Sequence, residues 1–149
     1  MTSFIAPDMF AENCHAWPFS PCIPQAYDFI MIDPPWKFEN RSEAGEAKGP
    51  NPHYPPMEDH EILALPVRAL ARDDCLLWAW ATWPKLPRAL ACIEAWGFEY
   101  KTGGAWNKRR WGTGYIWRSK CEPVLIASRG APKARGPSIP NLLDEGRRE

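Results

Sequence analysis

Asp33-Pro34-Pro35-Trp36 gathers hydrogen-bond acceptors and excludes competing donors. Proline has no N–H, two successive prolines fix φ and so hold the neighbouring carbonyls, and the aspartate carboxylate only accepts. Such a group suits a reaction at the exocyclic amine of a nucleobase. The amine's lone pair is delocalised into the ring, so the nitrogen is a poor nucleophile until acceptors hold its hydrogens and draw it toward tetrahedral geometry. Trp36 supplies a flat face on which an extruded base can stack, worth roughly 1–3 kcal/mol. A methyl group on a sulfonium is already activated, so its transfer demands alignment and needs no metal. The same four residues also read as a tight turn with an aromatic plug, and on the tetrapeptide alone both readings stand.

The elements around it must position the aspartate. Tyr27 to Ile32 is a nearly continuous apolar run that stops at Asp33, as a buried strand of a parallel sheet stops at its carboxyl end, where such sheets place ligands. Residues 39 to 56 are rich in Gly, Pro, Glu, Asn and Ser and read as a long mobile loop, of a length that is usually functional or disordered. Glu58 to Ala71 has helical apolar spacing interrupted by Pro66, which predicts two short helices. Cys75 to Ala81 is a second buried strand, and Thr82 caps a helix with Pro84 in its first turn, apolar Leu86, Leu90 and Ile93, and Gly97 as its stop. Phe98 to Asn107 is a third strand broken by Gly103-Gly104, Lys108 to Tyr115 a basic loop, and Pro123 to Ser128 a fourth strand. The alternation predicts an α/β fold, with a mostly parallel sheet and helices on both faces. Residues 1 to 24 read as an irregular lead-in packing through Phe4, Phe10, Trp17 and Phe19, and residues 129 to 149 as a polar, basic tail of the same single domain.

Composition narrows the class. Hydrophobic residues make up 45% of the 149, with nine Trp, which excludes a disordered chain. There is no long apolar run, hence no expected membrane association. Five cysteines without a C-x-x-C pair fit a reduced, cytoplasmic protein, and the spacing of Cys14, His15 and Cys22 matches no zinc pattern, so no metal is expected. The formal net charge of zero hides a split. From residue 100 onward eleven Lys and Arg face four Asp and Glu, interleaved with Trp106, Trp111, Tyr115 and Trp117. Phosphate contact with base stacking needs that pattern, and a solvated surface with core-facing aromatics produces it equally well.

The ordered series Asp33-Pro34-Pro35-Trp36, His53-Tyr54-Pro55-Pro56-Met57, Leu76-Leu77-Trp78-Ala79-Trp80, Ala95-Trp96-Gly97-Phe98, Trp106-Asn107-Lys108, Gly114-Tyr115, Glu122 and Arg129-Gly130 resembles the MT-A seventy-kilodalton-subunit family of adenine methyltransferases, and most closely its bacterial and phage DNA branch. The resemblance implies a Rossmann-like methyltransferase sheet and S-adenosylmethionine as methyl donor. It implies that Asp33 and Pro34 receive the adenine amine, that Pro35 and Trp36 shape the base pocket, and that Tyr54 closes over it. Lys108, with Asp33, is implied to contact the cofactor, the lysine pairing with its carboxylate. Glu122 is implied to orient, or to form a buried salt bridge, with Cys121 standing where many members have histidine. Arg109 and Arg110 are candidate contacts to DNA, RNA being the lesser expectation, and homo- or hetero-oligomers are possible partners. In the family a stretch like Arg148-Glu149 precedes further strands with cofactor contacts. The chain is therefore expected to lack C-terminal strands, and on its own to bind the cofactor weakly or not at all and to show no methyl transfer. Two functions stay open: an adenine methyltransferase, or a non-catalytic relic or partner subunit that binds nucleic acid.

Overall fold

Tyr27–Ile32 forms β1, and the chain then builds α1 (Asp59–Leu63), β2 (Ala71–Trp80), α2 (Leu86–Ala95), β3 (Glu99–Asn107), β4 (Cys121–Arg129) and a two-residue β5 (Leu142–Leu143). These come from a computed structural model that describes residues 17–37, 55–112, 114, 116–133 and 136–144. Short 3₁₀ turns at Val67–Leu70 and Trp83–Lys85 precede β2 and α2. The two helical pieces either side of Pro66 match the expectation for a proline that cannot continue a helix. Glu58 starts α1 through a capping box, its backbone N–H donating to Glu61 Oε2 at 2.8 Å. Thr82 precedes the first turn as expected but does not cap it, and its hydroxyl is buried without a partner among the described residues.

The strand order is β1-β2-β4-β3-β5. β1 lies parallel to β2, β4 runs antiparallel to both β2 and β3, and β5 is parallel to β3. The sheet is therefore mixed, which corrects the expectation of a mostly parallel one. Among the described residues no helix intervenes between β3 and β4, and a direct return makes neighbouring strands antiparallel. β3 is also continuous through Gly103-Gly104. A Cβ at Gly104 would stand 2.4 Å from the Asn141 carbonyl, so glycine here permits the close approach of β5.

One face of the sheet carries Ile30, Cys75, Leu77, Ala79, Leu125 and Ala127, all in one core with Ile62 of α1 and Ala89, Cys92 and Ile93 of α2. Spacings of three and four residues bring those α2 side chains onto one helix face. The Trp96 indole donates to the Ile62 carbonyl at 3.2 Å and ties the helices together. Both described helices thus cover the same face, not one face each as the sequence suggested. On the opposite face Phe29 and Met31 are 48% and 59% exposed, so β1 is buried on one side only. Trp17 and Phe19 meet edge to face at 5.6 Å and pack against the core, while Phe4 and Phe10 lie outside the described residues. Among the described residues no helix is long and apolar enough to cross a membrane.

Candidate active site

Parallel β1 and β2 end, β4 begins and β3 ends at the same edge of the sheet. The register pairs Ile32 with Ala79, Trp80 with Val124, and Trp106 with Glu122. Asp33 therefore emerges beside Trp80, with Glu122, Trp106 and Lys108 across the two strands beyond. Strand alternation puts Trp78, Trp80, Trp106 and Glu122 on the face that the helices leave open.

Backbone hydrogen bonds fix the acceptor loop. Trp36 N–H donates to the Pro34 carbonyl at 2.8 Å, Met57 N–H to Pro35 at 2.9 Å, and Lys37 N–H to Met57 at 3.2 Å. Lys37 also pairs with Glu58. Pro34 is buried, and its carbonyl, engaged once, keeps a second lone pair for another donor. The Asp33 carboxyl, though exposed, stands above its usual pKa, first because partial desolvation disfavours the charged form and second because Glu122 is negative. Lys108 forms a charge-assisted hydrogen bond with Glu122. An acid, a base and a second acid from three strands thus converge on one edge.

Other anticipated residues fall differently. Trp36 is only 5% exposed, its ring in the core and its indole N–H buried without a partner among the described residues. The ring is packed as the plug of the turn and is not presented as a stacking platform. Arg109 donates through Nε to Asp144 Oδ1 at 2.8 Å, which raises the arginine pKa and lowers that of the aspartate. Arg110 is exposed. Tyr54 lies outside the described residues, as do Cys14 and His15 of the weighed metal cluster. Cys22, Cys75, Cys92 and Cys121 are free thiols, and the described residues contain no cluster of three or more His, Cys, Asp or Glu able to hold a metal.

The site residues that sequence reading gave no role are Trp78 and Trp80, while Trp106 was named only among the aromatics interleaved with basic residues. Trp80 and Trp106 meet edge to face at 5.9 Å, with Trp78 6.2 Å from Trp80. With Leu143 and Asp144, Trp80 and Trp106 line a cleft of about 450 Å³, and the strand register sets Trp106 opposite Glu122. The signal was present: Trp78-Ala79-Trp80 alternates large and small, which in a strand puts both indoles on one face.

An α/β sheet with an acceptor-rich loop at the carboxyl end of its first strand is consistent with a methyltransferase-like architecture. The chain belongs to the MT-A70 family, whose sequence profile matches residues 27–141. It is also 30% identical to the Type II methyltransferase M.MunI of Mycoplasma sp, over 84% of this chain and 63% of that protein.

Proposed function

We propose that this protein transfers a methyl group from S-adenosylmethionine to the exocyclic amine of adenine in DNA. The observation that carries the proposal is the convergence of Asp33, Glu122 and Lys108 at one sheet edge beside a tryptophan-lined cleft. The DNA assignment is supported by the relative's description as a Type II methyltransferase, and the Rossmann-like assignment by a site beyond the carboxyl ends of parallel β1 and β2.

The donor set fits the proposed cofactor, which has an ammonium, a carboxylate and a sulfonium. Asp33 and Glu122 complement positive charge and Lys108 complements the carboxylate. The Thr82 hydroxyl and Trp78 indole N–H, at the end of β2, are buried without a partner among the described residues and are further polar groups that a ligand could engage. When bound, the cofactor supplies an electrophilic methyl. The protein's part is to receive the base and hold its amine. Trp80 and Trp106 offer walls for an extruded adenine, while the Asp33 carboxylate and Pro34 carbonyl accept the two amine hydrogens. The prolines contribute no competing N–H. As the nitrogen becomes positively charged, the carboxylate of Asp33 stabilises it and is placed to accept its proton, a role that suits a raised pKa. Replacing Asp33 by Asn tests the assignment. The variant is expected to bind DNA normally and to form little N6-methyladenine, whereas wild-type turnover in the variant would remove Asp33 from the chemistry.

A second reading, a non-catalytic nucleic-acid-binding subunit, is favoured by the engagement of Lys108 with Glu122, which neutralises the lysine proposed for the cofactor. Titration calorimetry with S-adenosylmethionine separates the two. Saturable binding that Lys108→Ala weakens supports the enzyme, and heat that never saturates supports the subunit.

A further inference from the structure

Between β3 and β4 the chain projects as a hairpin from the edge that carries Asp33 and Glu122. Its base is closed by Lys108 N–H donating to the Lys120 carbonyl at 2.9 Å and by Gly112 N–H donating to Ser119 at 2.7 Å. At its tip Ile116 and Trp117 are 83% and 87% exposed. Two adjacent large apolar side chains held so far into water call for something that covers them. Ile116 moreover has φ of 61°, a left-handed conformation that β-branched residues rarely adopt. Gly114 lets the tip turn this tightly, since a Cβ there would stand 2.0 Å from the Trp117 carbonyl.

What surrounds the tip says what covers it. Trp111 is engaged from within the hairpin, with Arg118 5.8 Å and Lys120 5.5 Å from its ring centroid. Neither cation has a carboxylate partner among the described residues. The hairpin thus offers an apolar tip flanked by uncompensated positive charge. An apolar protein surface would match the tip and leave the cations desolvated. A duplex matches both, with phosphates outside and an apolar base stack inside.

We propose that Ile116 and Trp117 form a wedge that enters the DNA base stack and fills the gap left when an adenine is extruded toward Asp33. The proposal rests on the reading of DNA as substrate. Extrusion leaves an unstacked hole, and an indole placed in it restores stacking. Arg118 and Lys120 hold the flanking phosphates, and the hairpin base places the wedge and the acceptor loop on one edge of the sheet.

The test compares a duplex of about thirty base pairs with the same duplex carrying one abasic nucleotide, by fluorescence anisotropy across a salt series. Wild type is expected to prefer the abasic duplex about tenfold. Trp117→Ala abolishes that preference with an unchanged salt slope, and Trp117→Phe restores most of it. Arg118→Gln with Lys120→Gln flattens the slope on both duplexes and leaves the preference. Trp117 is exposed, and an unchanged far-ultraviolet circular dichroism spectrum verifies that its replacement folds. Equal affinity of wild type for the two duplexes, or a preference that survives Trp117→Ala, overturns the wedge while leaving DNA binding intact. Failure of wild type to bind either duplex overturns the DNA reading and the wedge with it.

Discussion

The loop that holds Asp33 and the hairpin that ends in Trp117 border the same edge and are built in opposite ways. The first is short and proline-stiffened, clamped to Met57 by backbone hydrogen bonds and anchored by a tryptophan sunk in the core. The second is longer, basic and exposed, held at its base by two backbone bonds and along its length by cation–π contacts. Chemistry at an amine nitrogen tolerates little displacement, since about an ångström can lower a rate on the order of a hundredfold, so its acceptors sit on the rigid part. Capture of a long polyanion instead requires reach and many weak contacts, which an exposed hairpin provides.

The largest expected effect lies on the rigid side. Trp36→Ala removes a buried indole and is expected to lower unfolding free energy by about 3–5 kcal/mol in urea titration, with loss of activity following loss of fold. A variant of unchanged stability but impaired binding of adenine would return Trp36 to the role of a stacking platform. Next comes Trp80→Phe, which keeps a π-face in the cleft, against Trp80→Ala, which is expected to weaken capture of an extruded adenine by roughly 1–3 kcal/mol. Equal damage by the two would point to packing or the indole N–H.

On the hairpin side the expected effects are smaller and depend on salt. Arg109 is held by Asp144, whereas Arg110 is exposed. Arg110→Ala should therefore make the slope of log affinity against log salt shallower by about one unit, and Arg109→Ala should change it little. A change of about two units in the double variant would show that Arg109 leaves Asp144 for a phosphate.

The smallest effect is a stability difference with a definite sign. Partial desolvation and Glu122 raise the pKa of the exposed Asp33 above its unfolded value, so ionisation of Asp33 slightly disfavours the folded state. Asp33→Asn is expected to melt slightly higher than wild type near pH 7. That advantage should fade as pH falls through the raised pKa and vanish below the ordinary carboxylate value. An advantage that persists in acid would assign the stabilisation to something other than charge.

The apolar runs and their stops were legible because burial and termination are local properties. Ile32 before Asp33, Pro66 between two helical turns, and Gly97 with φ of 76° after α2 all lie where their chemistry requires. Strand direction was not legible, because Pro123 to Ser128 is equally apolar read either way. The informative feature was the short glycine-bearing connection from Lys108 to Lys120, in which the described residues form no helix. The one-sided burial of β1 was hidden because a continuous apolar run does not reveal which face lacks a cover. Of the candidate site, Asp33 was named from its own motif and Lys108 and Glu122 through the family resemblance, and the register brings the three to one edge. Pairing of Lys108 with Glu122 and of Arg109 with Asp144 depends on strand register, which single residues do not encode.

Single-turnover methyl transfer with protein in excess over adenine-containing DNA, at S-adenosylmethionine concentrations high enough to offset loose binding, tests the central claim most directly. Nucleosides from the digested DNA are identified by mass spectrometry, and DNA affinity is measured in parallel. Against the expectation of no transfer drawn from the sequence, the account predicts N6-methyladenine from the wild-type chain at these cofactor concentrations, and about a hundredfold or greater loss of rate in Asp33→Ala with DNA affinity nearly unchanged. Methyl groups on another base, no transfer by wild type, or an Asp33→Ala variant that loses binding and rate in equal measure would contradict it.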